Sequence, residues 1–207
     1  YAIASVNPGI QYHIDSIRLY GNLKLRNRIL QQQTGIFSGS VYDRQKLDAV
    51  DQRLSLFPFV KKMQPSDVSY LGSGGILNLY LNTQKCSQVD LLLGLQPSSG
   101  TTGKAQLVGN AQLDLKNSFG NAERIFLQWQ QLQIKSPRLN VAYSQPYIFG
   151  TSFGIESQFG LFKKDSSFLQ IKASMAITRQ GLNNHTTTLG FSYFQNTLLE
   201  GAADTNR

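Results

Sequence analysis

From residue 88 to residue 207 the sequence repeats one pattern, in which apolar and polar residues alternate over long segments separated by short turns rich in Gly, Asn and Ser. In residues 104–116, for example, Leu107, Ala111 and Leu113 alternate with Asn110 and Gln112. A period of two residues places successive side chains on opposite faces of a β-strand. About seven such strands, each of about 9 to 14 residues, fit before the chain ends.

The length of these segments favours a membrane β-barrel over a soluble sheet. Strands of soluble proteins are commonly about five or six residues long, whereas a tilted strand needs about 9 to 11 residues to cross a bilayer. The polar faces lack large apolar residues, as a water-filled lumen requires. Bacterial barrels of this kind have an even number of strands, so we expect further strands beyond this sequence.

Four aromatic residues of this part are suited to the interfaces of a membrane. They are Trp129, Tyr143, Tyr147 and Phe149. Amphipathic rings concentrate at headgroup level on both sides of a bilayer. Trp129 in the core of a soluble sheet is the alternative interpretation.

Before residue 88 the pattern is different and predicts a small α+β module. Residues 12–20 alternate as a strand, and a helix then runs to a stop at Gly35. A second helix, capped by Asp43 and closed by Pro58, has its apolar stripe at Leu47, Val50, Leu54 and Phe57. Residues 59–71 and 76–82 predict a hairpin. The order β-α-α-β-β gives a three-stranded sheet with both helices on one face.

Composition excludes several classes of protein. No stretch reaches the roughly 20 apolar residues that a membrane-spanning helix needs. The net charge is +8, but the basic residues are spread along the two predicted helices as solvated faces, and we expect no nucleic-acid partner. The single Cys86 has no partner for an internal disulfide and no nearby metal-ligating residue, so it predicts an inert thiol.

No motif predicts catalysis or a cofactor. Residues 98–104 contain Gly100, Gly103 and Lys104, but they do not complete a phosphate-binding loop and no helix follows, so they are read as a connection between strands. His13 and His185 lie far apart, with no acidic or nucleophilic motif beside either. We therefore predict no metal, no cofactor and no enzymatic activity.

Several short motifs together resemble a POTRA domain, and their order and spacing carry the resemblance more than any one of them. They are Asn7-Pro8-Gly9, Tyr12-His13-Ile14-Asp15-Ser16-Ile17, Gly21-Asn22, Gly39-Ser40-Val41-Tyr42 and Leu56-Phe57-Pro58-Phe59-Val60. On this reading residues 1–8 end a preceding POTRA domain, residues 9–87 form one POTRA domain, and residues 88–207 begin a barrel.

The barrel part resembles the BamA/TamA superfamily of outer-membrane assembly factors. Residues 89–96 are similar to the first barrel strand of that superfamily, and Tyr143-Ser144-Gln145-Pro146-Tyr147 is similar to its strand-end motif before a periplasmic turn. The resemblance places the Arg-Gly-aromatic motif of a late loop beyond Arg207, and Arg179-Gln180-Gly181 is not that motif. The resemblance implies the outer membrane of a Gram-negative bacterium with the POTRA part in the periplasm; an organellar outer membrane is the alternative.

The resemblance also implies where clients bind. In this superfamily the first and last barrel strands meet at a weakly paired seam, where strands of an unfolded outer-membrane protein are templated before release into the lipid. Physically this is β-augmentation at an exposed edge. The seam would comprise Val89, Asp90, Leu91, Leu92, Leu93, Gly94 and Leu95.

A second edge is predicted in the POTRA module, where clients or periplasmic or lipoprotein accessory subunits would add a strand. Its residues are Phe59, Val60, Lys61, Lys62, Val68 and Tyr70. The alternative is an ordinary edge strand guarded by Lys61, Lys62 and Pro65.

Two other functions remain open at this point. A two-partner polypeptide secretion pore shares POTRA domains and a barrel but passes its client through the lumen. A soluble module whose β-domain binds glycans or peptides would also alternate apolar and polar residues.

Overall fold

The computed structural model describes residues 11–72, 74–96, 106–131, 133, 136–164, 167–181 and 185–199, with the side chain of residue 106 not described. The chain separates into two compact units, Tyr1–Lys85 and Cys86–Arg207. The segment 1–8 and the connection 98–104 discussed above lie outside the described residues. Within the described ranges, no helix is long and apolar enough to cross a membrane.

The described part of the first unit contains a mixed sheet and three short helices. Its elements in chain order are β1 (His13–Tyr20), α1 (Asn27–Thr34), β2 (Ser40–Val41), α2 (Arg44–Asp48), α3 (Val50–Ser55), β3 (Val60–Lys62), β4 (Asp67–Leu71) and β5 (Gly74–Thr83). The sheet order is β2-β1-β5-β3, and β4 also pairs with β5. The β1–β5 pair is parallel, whereas β2, β3 and β4 each pair antiparallel with their neighbour.

The core of the first unit forms where alternating residues of β5 meet the apolar residues of the helices. Leu77, Leu79 and Leu81 are buried, and so are Leu30 of α1 and Leu54 of α3. The predicted helix stop is confirmed, because Gly35 adopts a left-handed φ of 71° and its N–H donates to the Gln31 carbonyl.

The predicted second helix is present but interrupted. Asp43 caps α2 as expected, with its carboxylate accepting hydrogen bonds from the N–H groups of Gln45 and Lys46. The helical path breaks at Ala49, and α3 follows. Val50 and Leu54 are buried as predicted, whereas Leu47 and Phe57 are half-buried.

The prediction of one strand over residues 59–71 was wrong. Two short strands, β3 and β4, pair with different parts of β5 and are separated by residues 63–66. Pro65 in this gap has no N–H to donate to a ladder. The carboxylate of Asp51 fixes the gap, since it accepts from Ser66 N at 3.3 Å and from Lys62 Nζ at 3.2 Å. This division and the additional short strand β2 give five strands in the described residues of the first unit, in place of the three expected.

The second unit is one antiparallel meander. Its strands are β6 (Gln88–Gln96), β7 (Gln106–Lys116), β8 (Arg124–Gln131), β9 (Arg138–Gln145), β10 (Phe153–Lys164), β11 (Phe168–Gln180) and β12 (Thr186–Leu198). The order in the sheet follows the order in the chain, and the described residues confirm the prediction of about seven strands. β8 and β9 have 8 residues each, slightly fewer than predicted.

The register aligns a mainly polar row and a mainly apolar row across the strands. Asp90 pairs with Gln112, which also pairs with Gln128, and Gln128 pairs with Asn140. The adjacent row joins Leu91, Ala111, Trp129 and Leu139. Trp129 therefore belongs to the apolar face.

Two expectations about aromatic residues were wrong. Tyr147 is buried, and its hydroxyl donates to Gln180 Oε1 at 2.7 Å, so it is no interfacial residue. The polar face also contains large apolar rings, because Phe126, Phe162 and Phe194 pair with the polar-face residues Asp114, Arg138 and Lys172. Each ring lies an even number of residues from polar residues of its own strand, so the period of two already places it on this face and the expectation overlooked it.

Candidate strand-docking edge

β6 lies at the edge of the seven-stranded sheet. Within the described residues it pairs along all nine of its positions with β7 and has no strand on its other side. An edge strand presents unpaired N–H and C=O groups to any segment that can extend the sheet. The seam residues predicted from sequence are thus placed together on one edge strand.

The outward row of β6 is apolar and exposed. Val89, Leu91, Leu93 and Leu95 share this face, and their exposed fractions lie between 53% and 72%. Four large aliphatic side chains in one exposed row are unusual for a protein surface in water and mark an interaction surface or a lipid contact.

The other row of β6 belongs to the polar face of the sheet. Asp90 lies opposite Gln112, Leu92 opposite Asn110, and Gly94 opposite Val108. Leu92 is 69% exposed. A strand added at this edge would therefore meet apolar side chains on one face and Asp90, Leu92 and Gly94 on the other.

Gly109 of β7 permits the close approach of β6, because it has no side chain. A Cβ atom at this position would lie 2.4 Å from the Leu92 carbonyl oxygen and 3.0 Å from Leu93 Cδ2. Both distances are shorter than ordinary van der Waals contact, so any larger residue would push the edge strand away. Sequence analysis did not single out Gly109, because its function depends on a neighbour that only the register identifies.

A charged cluster lies on the polar face of β7 and β8. Arg124 donates to both carboxylate oxygens of Asp114, at 2.8 and 3.0 Å, and Lys116 Nζ lies 3.4 Å from the same carboxylate. Bidentate pairs of this kind are geometrically specific. The cluster fixes the strand ends beside the turn of residues 117–123.

That turn is held by the buried carboxylate of Glu123. The carboxylate accepts from Phe119 N at 2.5 Å and from Asn121 N at 2.9 Å, while Asn117 Oδ1 accepts from Ala122 N. Asn117 and Ala122 both have positive φ values, a conformation that costs energy for non-glycine residues and persists when such bonds enforce it. The turn leaves Phe119 exposed.

A cavity of about 800 Å³ lies over the polar face of β8 to β12. Three of the rings on this face each have a cation nearby: Arg124 Cζ is 5.5 Å from the Phe126 centroid, Arg138 Cζ is 4.8 Å from Phe162, and Lys172 Nζ is 5.2 Å from Phe194. The quadrupole of an aromatic ring attracts a cation over its face. Two of these pairs join different strands, so the sequence alone does not reveal them. The third, Arg124 with Phe126, lies within β8 and was not singled out from the sequence.

The residues of the second predicted edge are divided between β3 and β4. Val60, Lys61 and Lys62 form β3, Val68 and Tyr70 belong to β4, and Phe59 precedes β3 and stacks on Phe57 at 5.0 Å. Tyr70 contacts Tyr12 at 5.2 Å between ring centroids. A hydrogen bond with Tyr42 raises the pKa of Tyr70.

Cys86 is half-buried, and burial raises the pKa of its thiol. A raised pKa lowers the thiolate fraction and with it the reactivity of the thiol. Among the described residues, no group of three or more His, Cys, Asp or Glu side chains is placed to hold a metal ion.

The chain is similar to known proteins over more than nine-tenths of its length. No protein-family model matches the chain. Outer membrane protein assembly factor BamA of Neisseria meningitidis serogroup B is 24% identical over 192 residues, which cover 91% of this chain and 22% of that protein. The crystal structure of BamA from Haemophilus ducreyi lacking POTRA domains 1-3 matches with a TM-score of 0.62 and 16% identity, over 93% of this chain and 37% of that one. The chain is BamA/TamA-like.

A further structure similar to this BamA/TamA-like chain is CdiB from Acinetobacter baumannii. Its TM-score is 0.55 at 14% identity, and the match covers 92% of this chain and 39% of that one. The seven-stranded sheet resembles part of the BamA barrel. The BamA/TamA-like chain spans about a fifth of the curated relative that it matches.

Proposed function

We propose that this chain belongs to an outer-membrane protein assembly factor and that β6 templates the strands of its clients. The observation that carries the proposal is the edge position of β6, with nine residues paired on one side only among the described residues. The similarity to an outer-membrane assembly factor supports the proposal. The proposed role also requires no enzymatic activity, in agreement with the prediction from the sequence.

The physical reason lies in the unpaired backbone of the edge. In a bilayer an unsatisfied N–H or C=O group costs several kcal/mol, because no water is present to replace its partner. An unfolded client that pairs with β6 satisfies its own groups and those of the edge together. The exposed outward row of Val89, Leu91, Leu93 and Leu95 would meet outer-membrane lipid beside the apolar face of the client.

We further propose that residues 9–87, nearly all of which belong to the first unit, form a POTRA domain on the periplasmic side. The order of β1, the helices and the strands β4 and β5 supports this assignment, together with the motifs quoted above. Its edge, divided between β3 and β4, would receive short extended segments of clients or accessory subunits. The five residues of β4 limit such a contact to a brief ladder.

The proposal is tested by the folding rate of a urea-unfolded small barrel protein in liposomes with and without the embedded full-length protein. We expect faster folding with the protein present, and we expect the acceleration to disappear when residues 89–95 are cross-linked to the strand that closes the barrel. Equal rates with and without the protein would contradict insertion at this edge.

A two-partner secretion pore is the second candidate, and the likeness to CdiB favours retaining it. Such a pore passes its client through the lumen, so the same cross-link at β6 would leave client transport unchanged. Transport of a labelled client into protein-containing liposomes, measured with and without the cross-link, separates the two functions.

A further inference from the structure

Nothing in the described surroundings of Gly94, in strand β6, requires a glycine at this position. A Cβ atom placed on it would meet only Val108 Cγ2 at 3.5 Å and the Val108 carbonyl oxygen at 3.9 Å, both ordinary contact distances. Its φ is not among the positive values of the described residues, so the backbone also accepts any L-residue. An alanine would fit here without strain.

The other described strand glycines of the second unit differ from Gly94. A Cβ atom would lie 2.4 Å from the Leu92 carbonyl oxygen at Gly109, 2.6 Å from Thr178 Oγ1 at Gly154 and 2.8 Å from Ala176 Cβ at Gly190. At Gly160 it would lie 3.3 Å from Asn140 Oδ1. Close packing accounts for these four glycines but not for Gly94.

A glycine inside a strand weakens that strand, and it often marks a place where another backbone or a ligand approaches closely. The side of Gly94 that faces β7 is filled by Val108. On its other side, β6 has no neighbouring strand among the described residues. On the polar face this leaves a gap bounded along the strand by Leu92 and Gln96.

We propose that Gly94 receives a large side chain, an aromatic ring above all, from the client strand that pairs with β6. A ring on the neighbouring strand can cover a glycine in an edge strand and replace the contacts that the glycine cannot make. This inference rests on the proposed function. It adds a chemical criterion for the client: an aromatic residue on the lumen-facing side of its docking strand, in register with Gly94.

The register is found first by disulfide trapping. In a Cys86→Ser background of the full-length protein, Gly94→Cys is paired with clients that carry one cysteine at successive positions of a terminal strand. The client position that forms the disulfide most rapidly is the one opposite Gly94, and clients with Phe or Ala there are then compared.

The test is a double-mutant cycle on the rate of client folding in liposomes. With the unsubstituted protein we expect the Phe client to fold roughly threefold faster than the Ala client, the size expected for an aromatic cross-strand contact. With Gly94→Ala the difference should vanish, because the methyl group fills the gap while the barrel still folds. Gly160→Ala, on the same face but away from the edge, is the control that should keep the difference.

The outcomes separate this inference from the proposed function. If the unsubstituted protein accelerates neither client relative to empty liposomes, the proposed function fails. If it accelerates both clients equally, or if Gly94→Ala preserves the advantage of the Phe client, the templating edge stands and the inference about Gly94 is overturned.

Discussion

Asp43 shows how much one side chain contributes where a helix begins. Its backbone is extended, and its carboxylate accepts from Gln45 N at 2.9 Å and Lys46 N at 3.3 Å. These N–H groups belong to the first turn of α2 and have no partner within the helix.

We predict that Asp43→Ala weakens α2 by about 1 kcal/mol, the usual value of such a cap. Hydrogen exchange of the full-length protein, followed by mass spectrometry, should then show faster exchange across α2. Asp48→Ala is the matched control, because Asp48 makes an exposed ion pair with Arg44 and such pairs contribute little. Equal effects of the two substitutions would contradict the capping assignment.

Residues such as Asp43 can be interpreted from sequence because their partners lie within three positions along the chain. Glu123 also binds backbone groups within four positions along the chain, but nothing in its local sequence distinguishes it from a solvated glutamate. The Phe162 ring and Arg138 are neighbours only because β9 and β10 pair in one register. Local signals therefore predict caps and stops, whereas contacts between strands require the register.

At the scale of the elements, the β6–β7 pair determines how firmly the proposed docking edge is held. Gly109 permits the close approach of β6, since a Cβ atom there would clash with the Leu92 carbonyl oxygen at 2.4 Å. Gly94 on the facing strand has no such restriction.

We predict that Gly109→Ala loosens β6, whereas Gly94→Ala leaves it in place. The added methyl group at position 109 must push the Leu92 backbone away, which lengthens the ladder bonds around it. Hydrogen exchange of the β6 peptides in detergent should become at least several-fold faster in Gly109→Ala than in Gly94→Ala, since a loss of about 1.4 kcal/mol is a factor of ten. Identical exchange in the two variants would show that the approach at Gly109 does not hold the edge.

The elements also show where sequence patterns stop being sufficient. The long alternating segments predicted seven strands, because a period of two over many residues is hard to satisfy in any other structure. The strand expected over residues 59–71 was divided, because Pro65 and the contacts of Asp51 with Ser66 and Lys62 interrupt the ladder. A short apolar pattern does not specify whether one ladder or two will form.

At the scale of the whole molecule, the assignment to a membrane depends on which face of the sheet meets lipid. Leu91 and Leu92 are consecutive, similarly exposed and identical in chemistry, yet the register places them on opposite faces. Substitutions at these two positions therefore test which face of the sheet contacts lipid.

We predict that Leu91→Arg strongly impairs assembly of the full-length protein into the outer membrane and that Leu92→Arg is tolerated. An arginine on the lipid face costs about 2 to 4 kcal/mol near the centre of the bilayer, whereas the lumen is hydrated. The mobility of the unheated protein on a denaturing gel reports the folded barrel. If both variants fold equally well and remain soluble without detergent instead of entering the membrane, the β-domain belongs to a soluble binding module.

The cations beside Phe126, Phe162 and Phe194 change the chemical character of the polar face of the second unit. A guanidinium or ammonium group lies within 4.8 to 5.5 Å of each ring, and the guanidinium of Arg124 is also paired with Asp114. Under the proposed function, an unfolded client that reached this face would therefore meet a charged group beside each of the three rings. At β6 the client would instead meet the exposed aliphatic side chains of Val89, Leu91, Leu93 and Leu95, where the proposed templating takes place.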